Sequence, residues 1–372
     1  MLTNLDDTLW HQLPTTFDHA GTSDPRFFDR YWFAIYAPLA GVSMQVTMGS
    51  YSNMNVLDAG VMVLIGQQQH NLRVSRALRP QFETRVGPVQ IHVEKPMEQL
   101  RLLCAQSGHD IAFDLVWSAA LPPEEEKPHY SRMNGRVQEE YQRFNQIGSV
   151  SGSLNVAGRQ IDIDRWWSAR DHSWGVRPGI GGPQPANGES GPRETAGTLF
   201  LFLFFSAGTV AGHIQIAERR GRRAYLTGIL RFAQTAGDWV ELAVLDAELT
   251  LDFVAGTRRP RRATITVVVE GEQQIELTLD AEGPSFAMPG LGYGGWNDRL
   301  GLGVYRGLAV EERDTWDVSH PADVVLEDGT IERPPHRIQP VQVTLQSGTL
   351  NETGMGSLTL VANGHLPKYG LD

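Results

Sequence analysis

Alternation of apolar and polar residues with a period of two runs through most of the chain, in segments separated by Gly, Pro, Asn or Asp. In residues 247–253 the odd positions are apolar and the even positions are polar, which is typical of a strand with one face on a core and the other in water. The same pattern recurs at 111–117, 264–269 and 275–280. Helical periodicity is scarce, and the chain is therefore predicted to be an all-β protein.

The number of strand-like segments predicts the domain organisation. Their count is on the order of 16, more than one open twisted sheet holds without curling or splitting. The pattern predicts two barrels or sandwiches, an N-terminal unit at 1–180 and a C-terminal unit at 198–372. The segment between them, 181–197, is rich in Gly and Pro and has no strand pattern. It is either a plain linker or a lid over a pocket.

Two further segments differ in polarity from their surroundings. Residues 199–205 are almost wholly apolar, which predicts a buried strand, but they are far shorter than the roughly 20 residues of a membrane-spanning helix. Residues 122–128 contain three Glu, one Lys and three Pro and are predicted to form a solvated surface loop. Because the chain also lacks a basic or apolar leader, we expect a cytoplasmic protein with no membrane span.

Charge and composition exclude several classes of partner. Lys and Arg number 32 and Asp and Glu number 43, which gives a net charge of −11; such a charge repels a phosphate backbone, so we expect no nucleic-acid partner. Cys104 is the only cysteine, which excludes an internal disulfide framework and a cysteine-rich metal site. The histidines lack metal-binding spacing, and we expect no metal. The sequence leaves the oligomeric state open.

The densest group of chemically capable residues lies at 165–177. In an extended strand alternate side chains point to opposite faces, which puts Arg170, His172 and Trp174 on one face and Asp171, Ser173 and Arg177 on the other. A histidine beside a tryptophan can carry a proton near neutral pH, and an indole face stabilises positive charge in a cavity that excludes water. The group fits either a hydratase-like pocket or a tryptophan-rich seam between two domains, in which Asp171 pairs with an arginine.

The run Asp171-His172-Ser173-Trp174-Gly175 ends a β-rich first half and is followed by the Gly/Pro-rich segment and a second β-rich half. In these features the chain resembles the carotenoid 1,2-hydratase (hydroxyneurosporene synthase) and kievitone hydratase superfamily. Residues 166–177 are most similar to its largely uncharacterised bacterial members. The similarity extends to 30–33, 50–55 and 290–316, and it therefore covers most of the chain.

The resemblance implies two lipocalin-like antiparallel β-barrel domains in tandem. It also implies a reaction without a cofactor on a hydrophobic substrate, such as a terpenoid, steroid or polyketide-like molecule, held near the domain junction. His172 and Trp174 match the pocket motif of the hydratases. Those hydratases are thought to protonate the alkene with an aspartate on a following strand. Here no Asp or Glu occurs from 195 to 217, so the identity of the general acid is open.

Carboxylates and aromatic residues supply the other candidates for the site. His172 is the predicted proton carrier, and Asp171 and Glu312 are the candidate catalytic carboxylates, because an apolar pocket raises a carboxyl pKa and makes the group a general acid. Glu312 also fits a solvated strand end beside Arg313, and Asn55 also fits a turn between two strands. The predicted substrate-binding residues are Tyr31, Asn55, Trp167, Arg170, Trp174, Tyr293 and Trp296.

Two functions of different classes follow from these features. The first is a hydratase, dehydratase, cyclase or isomerase. Water addition and dehydration share one intermediate, so the sequence does not give the direction. The second is a carrier or sensor that binds a lipid or isoprenoid without transforming it, for which a small barrel is suited and a strand carboxylate is unnecessary. In both cases the partner is a small hydrophobic molecule.

Overall fold

A computed structural model of the chain describes residues 4–7, 9, 11–37, 41–80, 82–133, 135–183, 197–234, 237–294 and 296–371. Most of the predicted connecting segment, 184–196, lies outside the described residues. The helical turns within them are short 3₁₀ helices, at Asn4–Asp7, Ser52–Met54, Met288–Leu291 and Pro367–Tyr369. No helix in the described part of the chain is long and apolar enough to cross a membrane. The all-β prediction is confirmed.

Strands account for most of the described chain. The strands of the first half are β1 (Phe27–Ala37), β2 (Val42–Tyr51), β3 (Val56–Ile65), β4 (Gln68–Ala77), β5 (Arg85–Val86), β6 (Val89–Lys95), β7 (Gln99–Cys104), β8 (Ile111–Ala119), β9 (Glu124–Glu125), β10 (His129–Met133), β11 (Arg136–Val156) and β12 (Arg159–Val176). Those of the second half are β13 (Thr198–Ala207), β14 (Val210–Arg219), β15 (Arg222–Ala233), β16 (Trp239–Phe253), β17 (Pro260–Val269), β18 (Gln274–Asp280), β19 (Phe286–Ala287), β20 (Ala309–Asp317), β21 (Val324–Val325), β22 (Ile331–Glu332), β23 (Arg337–Ser347) and β24 (Leu350–Asn363).

The first sheet has 15 strands. They follow the order β22, β21, β20, β4, β3, β2, β1, β12, β11, β8, β7, β6 and β5, and β9 and β10 also pair with β11. Alternate residues on one side of these strands are fully buried in a single apolar core, among them Phe33, Val46, Leu102, Leu115 and Trp117. Because β4 and β5, which lie far apart in the strand order, both contribute side chains to this core, the sheet curls around it.

The second sheet closes into a barrel. Strands β18, β17, β16, β15, β14, β13, β24 and β23 pair in that order, and β23 also pairs with β18. The result is a closed antiparallel barrel of eight strands. The predicted buried strand at 199–205 is the central part of β13, and its side chains Leu201, Leu203 and Phe205 fill the barrel interior.

Part of the C-terminal half belongs to the first sheet. After β19 the 3₁₀ helix Met288–Leu291 packs closely on β3, where a Cβ added to Gly60 would lie 3.0 Å from the Leu291 Cα. Strand β20 then pairs along its whole length with β4. The predicted unit 198–372 is thus interrupted, since β20 to β22 extend the sheet of the first half. This crossing carries Glu312 to the first sheet.

The outer side of the first sheet packs against the barrel. Trp32 of β1 stacks on Phe204 of β13 with ring centroids 5.7 Å apart, and Trp167 Nε1 donates a hydrogen bond to Ser206 Oγ at 3.1 Å. Burial of each large apolar side chain contributes about 1.5–3 kcal/mol. Together with the crossing segment, these contacts join the two sheets into one unit with an internal boundary, and polar residues collect along that boundary.

Candidate functional site

Strand β12 carries the predicted motif and lies between β1 and β11. Its alternation directs Arg170, His172 and Trp174 to the inner side of the first sheet and Asp171, Ser173 and Arg177 to the side that faces the barrel. Gly175 has a φ of +133°, and a Cβ at this position would lie 2.3 Å from the Glu140 backbone oxygen. The glycine of the motif therefore permits the close approach of β11.

The inner side holds a group around His172. The Nε2 atom of His172 lies 2.7 Å from Asp29 Oδ1, and the ring centroids of His172 and Tyr31 are 4.4 Å apart. Trp174 is 39 % exposed. Arg170 is buried, and the loss of hydration lowers its pKa to about 10. Four of the predicted site residues therefore lie together at the edge of the first core, on the side of β12 that points away from the barrel.

The side of β12 that faces the barrel carries a different group. Ser173 lies directly opposite Arg30 of β1 and Arg143 of β11, and opposed Cα atoms in antiparallel strands are about 4.5–5.5 Å apart. Arg30 is only 3 % exposed and Arg143 only 7 %. We name the set Arg30, Arg143, Asp171, Ser173 and Arg177 the arginine recess. It presents buried positive charge to the space between the two sheets.

Asp171 is the carboxylate of the arginine recess. It is half-buried and accepts no hydrogen bond from the described residues. Burial raises the pKa of Asp171 above its ordinary value; the charge of Arg143 opposes the rise and that of Glu126 adds to it. A carboxyl group whose pKa is raised is more often protonated at a given pH than an ordinary one, and it can act as a general acid toward a bound molecule.

Tyr293 covers the arginine recess from the segment that crosses between the sheets. The guanidinium carbons of Arg30 and Arg177 lie 4.5 Å and 5.7 Å from the centre of its ring, and Arg30 Nη1 donates a hydrogen bond to Tyr293 Oη. The His336 ring packs edge-on against Tyr293, with centroids 5.1 Å apart. Burial lowers the pKa of His336 to about 4, so this imidazole is neutral near pH 7.

A cleft of about 780 Å³ opens beside Tyr293. Its volume falls within the range of about 300–1,000 Å³ that small-molecule sites occupy. The side chains that line it include Arg73, Arg177, Trp296, Trp316 and His336. Glu312 adjoins the cleft through Arg73, whose Nε lies 3.4 Å from Glu312 Oε2. In the described part of the chain, no group of three or more His, Cys, Asp or Glu side chains has the arrangement of a metal site.

Glu126 is the carboxylate that pairs with Arg143 of the arginine recess. It is 2 % exposed, its Oε1 accepts a hydrogen bond from Asn145 Nδ2 at 2.6 Å, and its Oε2 lies 2.9 Å from His129 Nε2. Arg143 Nη1 lies 3.4 Å from Oε1. Burial opposes ionisation, but Arg143 and the other contacts lower the pKa of Glu126 to about 2. The ionised carboxylate therefore fixes Arg143 and Asn145 beside Asp171.

Two predicted site residues have local roles. Asn55 follows the 3₁₀ helix Ser52–Met54 with a φ of +55°, a conformation that asparagine tolerates. Its Oδ1 accepts a hydrogen bond from the Arg79 backbone nitrogen at 2.9 Å, so Asn55 closes a turn. Trp167 lies in the contact between the sheets, where it packs on Tyr36 with ring centroids 5.5 Å apart.

Sequence reasoning did not single out Arg30, Arg143, Glu126 or His336 for the site. The prediction that 122–128 is a solvated loop is wrong at Glu126, because Arg143 and Asn145 compensate for the burial of its carboxylate. One sequence signal could have pointed to Arg30, namely a charged residue within an otherwise apolar strand. Arg30 and Trp32 are two residues apart and therefore share the buried face of β1.

The fold and the boundary site define a class of two-part, all-β proteins. The structure is similar to a Nitrosomonas europaea protein solved under the name AttH, with a TM-score of 0.51 and 11 % identity over 95 % of this chain and 98 % of that one. It is also similar to CghA solved with Sch210972, with a TM-score of 0.50 and 8 % identity over 91 % and 89 % of the two chains. For kievitone hydratase from Nectria haematococca the TM-score is 0.49 and the sequence identity is 14 %, over 89 % of this chain and 88 % of that one. At these identities the likeness concerns the fold.

Within that class the particular family is also known. The chain belongs to the family of unknown function DUF8625, whose model matches residues 2–367. No curated protein sequence matches the chain significantly.

Proposed function

We propose that the protein is a cofactor-independent lyase or isomerase of the hydratase, dehydratase or cyclase type, in which Asp171 transfers a proton to a hydrophobic substrate bound between the two sheets. The observation that carries this proposal is the position of Asp171. Asp171 is half-buried on the side of β12 that faces the barrel, and its carboxyl group has no hydrogen-bond partner among the described residues. The resemblance of residues 171–175 to the hydratase motif supports the same class of reaction.

A dehydration illustrates how one carboxyl group suffices. Protonated Asp171 gives its proton to the leaving hydroxyl oxygen, the C–O bond breaks, and water departs with the bonding electron pair. As the C–O bond breaks, the electrons of the neighbouring C–H bond form the C=C bond, and the released proton returns to the Asp171 carboxylate. Hydration is the same sequence in reverse. A cyclisation or isomerisation would use the cleft beside Tyr293 with water excluded.

The arginines of the recess restrict the type of intermediate. A unit positive charge placed about 6 Å from a guanidinium is destabilised by roughly 3 kcal/mol at an effective dielectric constant of 20. Arg30, Arg143 and Arg177 all contribute charge at Asp171. A free carbocation is therefore disfavoured here. The preferred step is concerted, or moves electrons toward an oxygen atom of the substrate.

The proposal assigns the proton transfer to Asp171 and gives His172 no direct part in it. His172 lies on the opposite side of β12, next to Asp29 and Tyr31. Its predicted role as proton carrier is a separate proposal, which a comparison of the Asp171→Asn and His172→Ala variants tests. Tyr293, Trp296 and His336 would form the wall of the substrate site, and Glu312 would hold Arg73 at its rim.

The test begins with ligands found by binding. Terpenoids, steroids and polyketide-like phenols are titrated against intrinsic tryptophan fluorescence, and every compound that binds is incubated with the protein in D₂O and analysed by mass spectrometry. A catalyst is expected to add or remove one water, to change the retention time at constant mass, or to introduce solvent deuterium at carbon. Recovery of all binding compounds unchanged and without deuterium would contradict the proposal and favour the carrier or sensor.

A further inference from the structure

We infer that the arginine recess binds a planar oxyanion group, in the simplest case a carboxylate, so that the ligand of this protein is an organic acid with an apolar body. The inference rests on the proposed function, because it names the group that holds a substrate beside Asp171. It goes beyond the hydrophobic ligand expected from the sequence.

The guanidinium groups of the recess have donors that no described residue accepts. Arg30 Nε and Nη2, Arg143 Nε and Arg177 Nε are all buried without a hydrogen-bond partner among the described residues. Leaving a buried donor without an acceptor is unfavourable. The planar fork of a guanidinium matches the two oxygen atoms of a carboxylate, which would accept two of these hydrogen bonds at once.

These donors belong to side chains that neighbour one another. Arg30 and Arg143 are the cross-strand neighbours of Ser173, which is 5 % exposed and has a short side chain. Arg30 and Arg177 both lie against the ring of Tyr293, and Arg177 and Tyr293 also line the cleft. An oxyanion that enters from the cleft would therefore meet Arg177 first and the other guanidinium groups behind it.

Two of the three guanidinium groups in the recess lack a directly paired carboxylate. Glu126 compensates for the charge of Arg143. Arg30 and Arg177 form no ion pair with a described carboxylate; Asp58 and Asp171 act on Arg30 from a greater distance. A bound anion would pair with these guanidinium groups directly, which is the usual condition for buried charge.

The surroundings of the recess are apolar. The Arg143 guanidinium carbon lies 5.0 Å from the centre of the Phe202 ring, and that of Arg177 lies 4.9 Å from the centre of the Phe28 ring. Such walls favour a hydrocarbon or aromatic body on the ligand. The recess therefore suits a molecule whose acidic group is at one end and whose remainder is apolar.

The test compares one fatty acid with its neutral ester. The fluorescence of cis-parinaric acid and of methyl parinarate is titrated with the intact protein at pH 7.5, where the free acid is ionised. The wild-type protein is expected to bind the acid about tenfold or more tightly than the ester, since charge-assisted hydrogen bonds are lost in the ester. Arg30→Met and Arg177→Met, which keep an apolar stem of similar length, are expected to reduce that preference to about twofold or less.

Arg165→Met is the matched control, because Arg165 lies on β12, outside the recess, and its side chain is 82 % exposed; its preference is expected to equal that of the wild type. Retained binding of the ester shows that a variant is folded. Failure of the wild type to prefer the acid, or binding of neither probe, overturns the inference, as does an unchanged preference in both Met variants. If the acid preference is absent while Asp171→Asn still removes turnover, the inference fails and the proposed function stands.

Discussion

Replacing Asp171 by Asn is expected to lower the turnover rate about 10²–10⁴-fold, the usual contribution of a general acid. Asparagine has nearly the same shape and can still hydrogen-bond, but it has no proton that it can transfer. The rate is measured on the compound that the deuterium assay identifies. Asp164→Asn is the matched control, because Asp164 lies on the same strand and its side chain is 88 % exposed; its rate is expected to equal that of the wild type.

The same replacement is expected to leave the free energy of unfolding unchanged or to increase it. The pKa of Asp171 is higher in the folded protein than the ordinary value of 3.8. A group with a raised folded pKa contributes stability below its unfolded pKa and loses it as the pH rises. At neutral pH the Asp171 carboxylate therefore opposes folding, and a neutral amide relieves that cost. Denaturant unfolding of both proteins measures the difference.

The rate should also depend on pH with a definite sign. The protonated form of Asp171 is the donor, so the rate is expected to fall as the pH rises through the pKa of Asp171. Arg143, Arg177 and Arg30 face this carboxyl group and lower that pKa, while burial and Glu126 raise it. Unchanged turnover of the Asp171→Asn variant would contradict the proposed role. If that variant were also less stable to unfolding, Asp171 would be a structural ion-pair residue.

Replacing Glu126 by Gln is expected to destabilise the folded protein by about 3–5 kcal/mol, the usual effect of removing one partner of a buried ion pair. Glu126 is 2 % exposed, and its removal leaves the charge of buried Arg143 uncompensated. Urea unfolding at pH 7 provides the measurement. Glu125→Gln is the matched control, since Glu125 is exposed and its change is expected to stay within about 0.5 kcal/mol.

The contribution of Glu126 also has a pH window. Its pKa is about 2 in the folded protein against 4.5 ordinarily, so the stabilisation is present above pH 4.5 and is lost as the pH falls toward 2. The Gln variant should lack this part of the acid dependence. Equal stability of the Glu126→Gln and Glu125→Gln variants would show that Arg143 is compensated by other groups.

The architecture could largely be predicted because it follows from local pattern. Alternation along 247–253 or 275–280 requires only that one face of a strand be buried, and those segments are strands β16 and β18. That β20 to β22 leave the C-terminal half and join the first sheet could not be predicted. The pairing of β20 with β4 joins residues more than 200 positions apart, and nothing in the pattern of β20 distinguishes one sheet edge from another.

The site could be predicted only in part, for the same physical reason. The two faces of 170–174 follow from strand alternation, but which face meets the second sheet depends on packing far along the chain. The sequence motif directs attention to His172, whereas Asp171 is the group beside Arg30 and Arg143. The burial of Glu126 depends on compensating contacts from β11, and a polar run rich in proline gives no sign of them.

One paired comparison decides which face of β12 carries the chemistry. Turnover of the same compound is measured for Asp171→Asn and His172→Ala at equal protein concentration, with folding checked by circular dichroism. Chemistry at the boundary between the sheets requires a loss of about 10²-fold or more in the Asp171 variant and a change of only a few-fold in the His172 variant. The reverse outcome, an inactive His172→Ala beside an active Asp171→Asn, would contradict it and move the reaction to the inner side of the first sheet.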